Sequence, residues 1–190
     1  MGLCIAAAVL SSGQPAAAQL VSYNGDLTLN GGPVPSGFVI AGTFAPTFDP
    51  QNYKFEYGDG FGNLLSSEYS QAVADGNFRP IGSGTTTFPD GAFAGTGFNT
   101  NGAGHLVYLF AFDHPNPDSA ANFALATNPS WITGGADLSI SGADASAFVF
   151  GNKVGPTIGL NTLPFPEPST FTLVATLVCV LTPRFRRKFR

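Results

Sequence analysis

The chain has 190 residues, of which only 11% are charged, with 24 Gly, 18 Phe and 15 Pro and a formal net charge of −4. Turn formers mixed with strand-favouring aromatics, and only eight Lys plus Arg with no long run of helix formers, argue against a helical bundle and for short strands joined by tight turns. Between residues 19 and 165, eleven acidic residues stand against Lys54, Arg79 and Lys153 alone, which excludes nucleic acid as a partner and makes anionic lipid a poor one.

At the amino-terminal end, residues 3–10 are apolar, residues 11–15 carry breakers, and Ala16-Ala17-Ala18 forms the small-x-small pattern that signal peptidase accepts. Residues 1–18 are therefore expected to be a signal peptide cut before Gln19, with Ala16 and Ala18 as the recognised side chains. A buried amino-terminal helix or strand is the structural alternative. The apolar run is too short for a bilayer span. Cys4 and Cys179 both fall in terminal apolar segments, so residues 19–163 hold no disulfide, no thiolate nucleophile and no Cys-ligated zinc.

Those residues, 19–163, suffice for one domain with its own core. In chain order the strand candidates are residues 37–44, 53–57, 85–88, 92–98, 105–112, 122–127, 136–141 and 147–150. The alternation is clearest at Tyr53-Lys54-Phe55-Glu56-Tyr57, which reads as a half-buried strand turned by Gly58-Asp59-Gly60. Residues 106–112 are almost wholly apolar and are expected to form a central strand buried on both faces. One helix is expected, capped by Ser66 or Ser67, with Leu65, Tyr69, Ala72 and Val73 on one face and Gly76 at its end. About eight short strands with turn signals between them predict an all-β, sandwich-like single domain.

Candidates for chemistry are sparse. No Gly-x-Ser-x-Gly elbow and no phosphate-cradling loop followed by Lys is present, and the only histidines are His105, at a strand start, and His114. Asp113-His114-Pro115-Asn116-Pro117-Asp118 reads as a solvated, proline-stiffened loop, with an oxygen-liganded ion as the alternative. Asp59, Asn63 and Glu68 offer hard oxygens for calcium, though their spacing departs from the EF-hand loop. Trp131, after Asn128-Pro129-Ser130, is either a core aromatic or a surface platform for a sugar ring. No catalytic residue, cofactor or metal site is assigned.

The carboxy-terminal residues 164–190 contain Pro166-Glu167-Pro168 in a proline-alternating linker, then an uncharged stretch over 170–182, then Arg184, Arg186, Arg187, Lys188 and Arg190. Prolines hold the linker extended, and the basic cluster resists translocation, so the domain is expected outside the membrane and the tail inside. This order resembles the PEP-CTERM sorting signal of Gram-negative bacteria, with Pro166, Glu167 and Pro168 matching its tripeptide. The resemblance implies recognition by exosortase, a membrane protease-transpeptidase, through a transmembrane sorting helix. It also implies export to the cell surface or extracellular matrix, in association with exopolysaccharide and biofilm. The aromatic strand 105–112, the polar loop, Phe123-Ala124-Leu125-Ala126-Thr127 and the Trp that follows are similar to a recurring pattern in proteins with this tail. A non-enzymatic surface protein is the expected function; a carbohydrate-binding module and a small secreted hydrolase are the alternatives.

Overall fold

The computed structural model describes residues 18–57 and 68–162. Its strands are β1 (Gln19–Leu29), β2 (Gly32–Pro33), β3 (Phe38–Phe44), β4 (Phe78–Thr86), β5 (Ala92–Asn99), β6 (Leu106–Phe112), β7 (Asn122–Ile132), β8 (Leu138–Ser141), β9 (Ala147–Phe150), β10 (Asn152–Val154), β11 (Thr157–Gly159) and β12 (Asn161–Thr162). Two short helices, α1 (Tyr53–Glu56) and α2 (Tyr69–Ala74), lie between β3 and β4. The strands form two six-stranded sheets, one built around β1 and the other in the order β12-β7-β6-β3-β4, with β9 also on β7. The architecture is mostly β and sandwich-like, as expected.

The longest unexpected element is β1. Asn24-Gly25-Asp26 has the composition of a turn, yet the chain runs straight through it, because β5 pairs antiparallel along residues 19–26 and β8 pairs parallel from Val21 to Asn24. Past that point β1 changes partners and pairs with β2 and β11. Two ladders satisfy the backbone on both edges, and that outweighs the local preference for turning. Gly25 is required on other grounds: a Cβ there would lie 2.9 Å from Cζ of Phe93, its cross-strand partner. Gly95 is covered in the same manner by the ring of Tyr23, an aromatic side chain filling the gap over a strand glycine.

Each face of the second sheet is buried against a different layer. Val107, Leu109 and Ala111 of β6 point to the first sheet, where they meet Val21, Leu27 and Ile140 in a shared core. Tyr108, Phe110 and Phe112 point the other way, into an aromatic layer with Phe44, Phe78 and Phe123. Strand β6 lies between β3 and β7 and is therefore the central strand that its apolar run predicts.

The aromatic layer explains the main correction to the strand assignments: residues 53–57 do not form a strand. Asp49 accepts a hydrogen bond from Gln51 N at 3.0 Å and caps the 3-10 turn Pro50–Asn52, which leads into α1. Proline just inside a capped start is a helix signal, and it prevails here. Aromatics at i and i+4 share a face in a helix as well as in a strand, so the pattern alone was ambiguous. Tyr53 and Tyr57 are both buried, with ring centroids 5.0 Å apart, and they cover the second sheet together with Tyr69 and Ala72 of α2.

Helix α2 ends at Gly76 (φ +72°), as expected. Glu68, which immediately precedes it, makes no side-chain cap, and the proposed caps Ser66 and Ser67 lie outside the described residues, as does Leu65. The cap comes from another part of the chain: Asp118 Oδ1 accepts from Ser70 N at 2.9 Å. Strand β4 starts earlier than residue 85 and tolerates Pro80 because, among the described residues, it is an edge strand paired only with β3.

All five tyrosines lie in these cores, and burial raises every one of their pKa values, those of Tyr23 and Tyr69 from 10.0 to about 12. Unfolded phenols ionise near pH 10, so above that pH the folded state retains protons that the unfolded state has lost. The stability involved is complete below pH 10 and falls as pH rises towards 12. An alkaline titration should therefore show phenolate absorbance and loss of the β-sheet circular dichroism rising together, in one cooperative step. Stepwise ionisation with the β signal intact would contradict this burial.

Candidate functional site

Among residues singled out from the sequence, Trp131 takes the core position that was one of its two readings. It is 3% exposed and belongs to the core between the sheets, so it offers no platform to a sugar. Asn128-Pro129-Ser130 is the reason. Asn128 Oδ1 accepts from Ser130 N and Oγ at 2.9 and 2.8 Å, making a compact turn within β7. The β6–β7 register slips there, with Leu106 opposite Ile132 but Tyr108 opposite Thr127. The bulge carries the polar residues outward and returns Trp131 to the inside.

The polar loop after β6 is closed by its own hydrogen bonds. Asp113 accepts from Ala121 N at 3.1 Å and from Asn122 Nδ2 at 2.5 Å, Asn116 Oδ1 accepts from Asp118 N at 3.2 Å, and Asn116 N donates to His114 Nδ1 at 3.0 Å. Its acids thus hold backbone in place, and Asp118 serves α2 as well. His105 immediately precedes β6 and exchanges hydrogen bonds with Thr133: His105 N donates to Thr133 Oγ1 at 2.9 Å and His105 O accepts from Thr133 N at 2.8 Å. Among the described residues no three His, Cys, Asp or Glu side chains come together as a metal site. Of the calcium candidates, Glu68 immediately precedes α2, whereas Asp59 and Asn63 lie outside the described residues. Ala16, the tripeptide Pro166, Glu167 and Pro168, and the basic residues Arg184, Arg186, Arg187, Lys188 and Arg190 also lie outside them.

Two features were not found from the sequence. One is the start of β1, where Ala18 is exposed and Gln19 is 5% exposed. Gln19 Nε2 donates to Ala136 O at 2.6 Å, and Gln19 Oε1 accepts from Gly134 N at 3.0 Å. Next to this amide is an open cleft of about 140 Å³, lined by Asn99, Thr100, Gly102 and Gly135 among others.

The other feature is the outer face of the first sheet. Cross-strand partners share a face, so Leu20 lies beside Phe98, Ser22 between Thr96 and Ser139, and Asn24 between Ala94 and Ser141. Ser22, Asn24, Thr96, Ser139 and Ser141 are small and polar, Ala94 is small and apolar, the exposed Asp26 opposite Ala92 adds a charge to the same face, and Phe98 is 63% exposed. The signal was available in the strand itself. Phe93 and Phe98 are five residues apart, and an odd separation puts two strand residues on opposite faces, so one of them had to point outward.

No protein-family model matches the chain, and neither does any curated protein or solved structure.

Proposed function

We propose that this chain is an exported, non-enzymatic surface protein. In this reading it is carried across the cytoplasmic membrane by an amino-terminal signal peptide and delivered to the cell surface or extracellular matrix by its carboxy-terminal PEP-CTERM-like signal. The observation that carries the reading is the order Pro166-Glu167-Pro168, apolar stretch, terminal Arg/Lys cluster. The position of β1 supports it too: the strand begins at Gln19, immediately after Ala16-Ala17-Ala18, so a cut there leaves every described strand intact. The partners in this reading are an exosortase-type enzyme, the membrane through the tail, and extracellular polysaccharide.

Intact mass of the native protein, fractionated into membrane, surface layer and medium, tests this. The surface form should begin at Gln19 and end near Pro168, and Glu167→Ala should leave the tail attached and deplete the surface fraction. A full-length chain in the cytoplasm would sink the export reading.

A second reading, a carbohydrate-binding module, is favoured by the outer face of the first sheet. An exposed Phe98 on the same sheet face as Ser, Thr and Asn side chains suits stacking on a sugar ring with hydrogen bonds around it. In that case glycan-array binding should fall at least about tenfold in Phe98→Ala, the loss of one stacking contact. Trp131→Ala is not informative here, because it would damage the core. Binding that is unchanged in Phe98→Ala removes this face from consideration.

A further inference from the structure

Cutting the chain before Gln19 creates a terminus with its own chemistry. An amino-terminal glutamine cyclises when its α-amine nitrogen attacks the side-chain Cδ: the N–Cδ bond forms, the Cδ–Nε2 bond breaks, and ammonia leaves, producing a neutral pyroglutamate. The reaction needs no co-reactant. It requires that the side-chain amide fold back onto its own backbone nitrogen and that this nitrogen be unprotonated.

The fold opposes each requirement. Both polar ends of the Gln19 amide are held by the segment between β7 and β8, Nε2 by Ala136 O and Oε1 by Gly134 N, more than a hundred residues away in sequence. The group is almost wholly buried, and the lactam would eliminate Nε2 and leave the Ala136 carbonyl without its donor. Asp137, whose Oδ1 accepts from Leu20 N at 3.3 Å, places a carboxylate beside the second residue of the new terminus. A nearby negative charge favours the protonated α-amine, which is not nucleophilic.

We propose that the folded domain itself protects Gln19 from cyclisation, so that the mature surface protein retains an open glutamine and a free, charged α-amine next to the cleft formed by Asn99, Thr100 and Gly102. The inference rests on the cleavage site proposed above. Cyclisation then proceeds only from molecules in which the start of β1 has detached, and its rate follows that local opening.

The test uses the processed protein from the surface fraction, incubated in native buffer and in urea, with intact mass and amino-terminal sequencing over time. The expected result is a chain beginning at Gln19 with its full mass. It should lose one ammonia at least about tenfold more slowly in native buffer than in urea, as two intact hydrogen bonds would require. A chain beginning at Gln19 but already one ammonia lighter, or one converting equally fast in both buffers, overturns the protection and leaves the cleavage reading standing. A chain beginning elsewhere overturns both.

Discussion

Phe110→Ala should lower the unfolding free energy by about 3–5 kcal/mol, a large share of the roughly 5–15 kcal/mol available to an ordinary domain. Phe110 is fully buried on β6, at the centre of the aromatic layer. Its ring stacks on Phe112 with centroids 4.5 Å apart and meets Tyr53, Phe78, Phe123 and Tyr69 at 5.4, 5.6, 5.9 and 6.0 Å. Those partners come from both helices and from β4 and β7, so little can relax into the space left by the ring. The edge-on contacts would be lost along with the buried area. Urea denaturation measures this as a lower midpoint with an unchanged slope. Phe98→Ala is the control, since an exposed aromatic should change stability by no more than about 0.5 kcal/mol. Equal costs for the two variants would mean that the aromatic layer is not a packed core.

Gly97→Ala should cost about 1–3 kcal/mol although it adds only one methyl group. Strands β4 and β5 are edge strands of different sheets, and they touch backbone to backbone where Gly82 and Gly97 meet. A Cβ on Gly97 would lie 2.5 Å from Ile81 O, 2.6 Å from Ile81 C and 2.7 Å from Gly82 N. Main chain cannot rotate aside as a side chain can, so the two sheet edges would have to separate and open the core at Ile81. Gly32→Ala is the matched comparison: among the described residues beyond its chain neighbours, the new Cβ would meet only Leu29 O, at 3.8 Å, and the change should be close to neutral by the same urea assay. If both substitutions are neutral, β4 and β5 do not make this contact in solution.

How far the site and fold were legible varied with the range of the interactions involved. Residues 92–98 and 147–150 were readable as strands because they are short, phenylalanine-bearing segments between turn formers, and they match β5 and β9. The unbroken apolar run of β6 could only be accommodated with both faces covered. Trp131 was undecided because Asn128-Pro129-Ser130 has the same composition in an exposed loop and in a bulge that returns the chain to the core. The cap of α2 was unreadable from its own neighbourhood, since Asp118 supplies it from forty-eight positions away.

By itself the sequence determined the β-rich class, the absence of cysteine from residues 19–163, the acidic character of that stretch and the order of apolar, proline-rich and basic segments at the two ends. Composition, charge and short motifs act locally or in sum, and they need no knowledge of what packs against what. Tertiary structure alone decided that Asn24-Gly25-Asp26 runs through a strand, that Tyr53 and Tyr57 share a helix face, that Phe98 faces outward, and that the Gln19 amide is clasped by Gly134 and Ala136. In each case the local preference was weak or divided, worth about 1 kcal/mol or less, and partners distant in the chain contributed more.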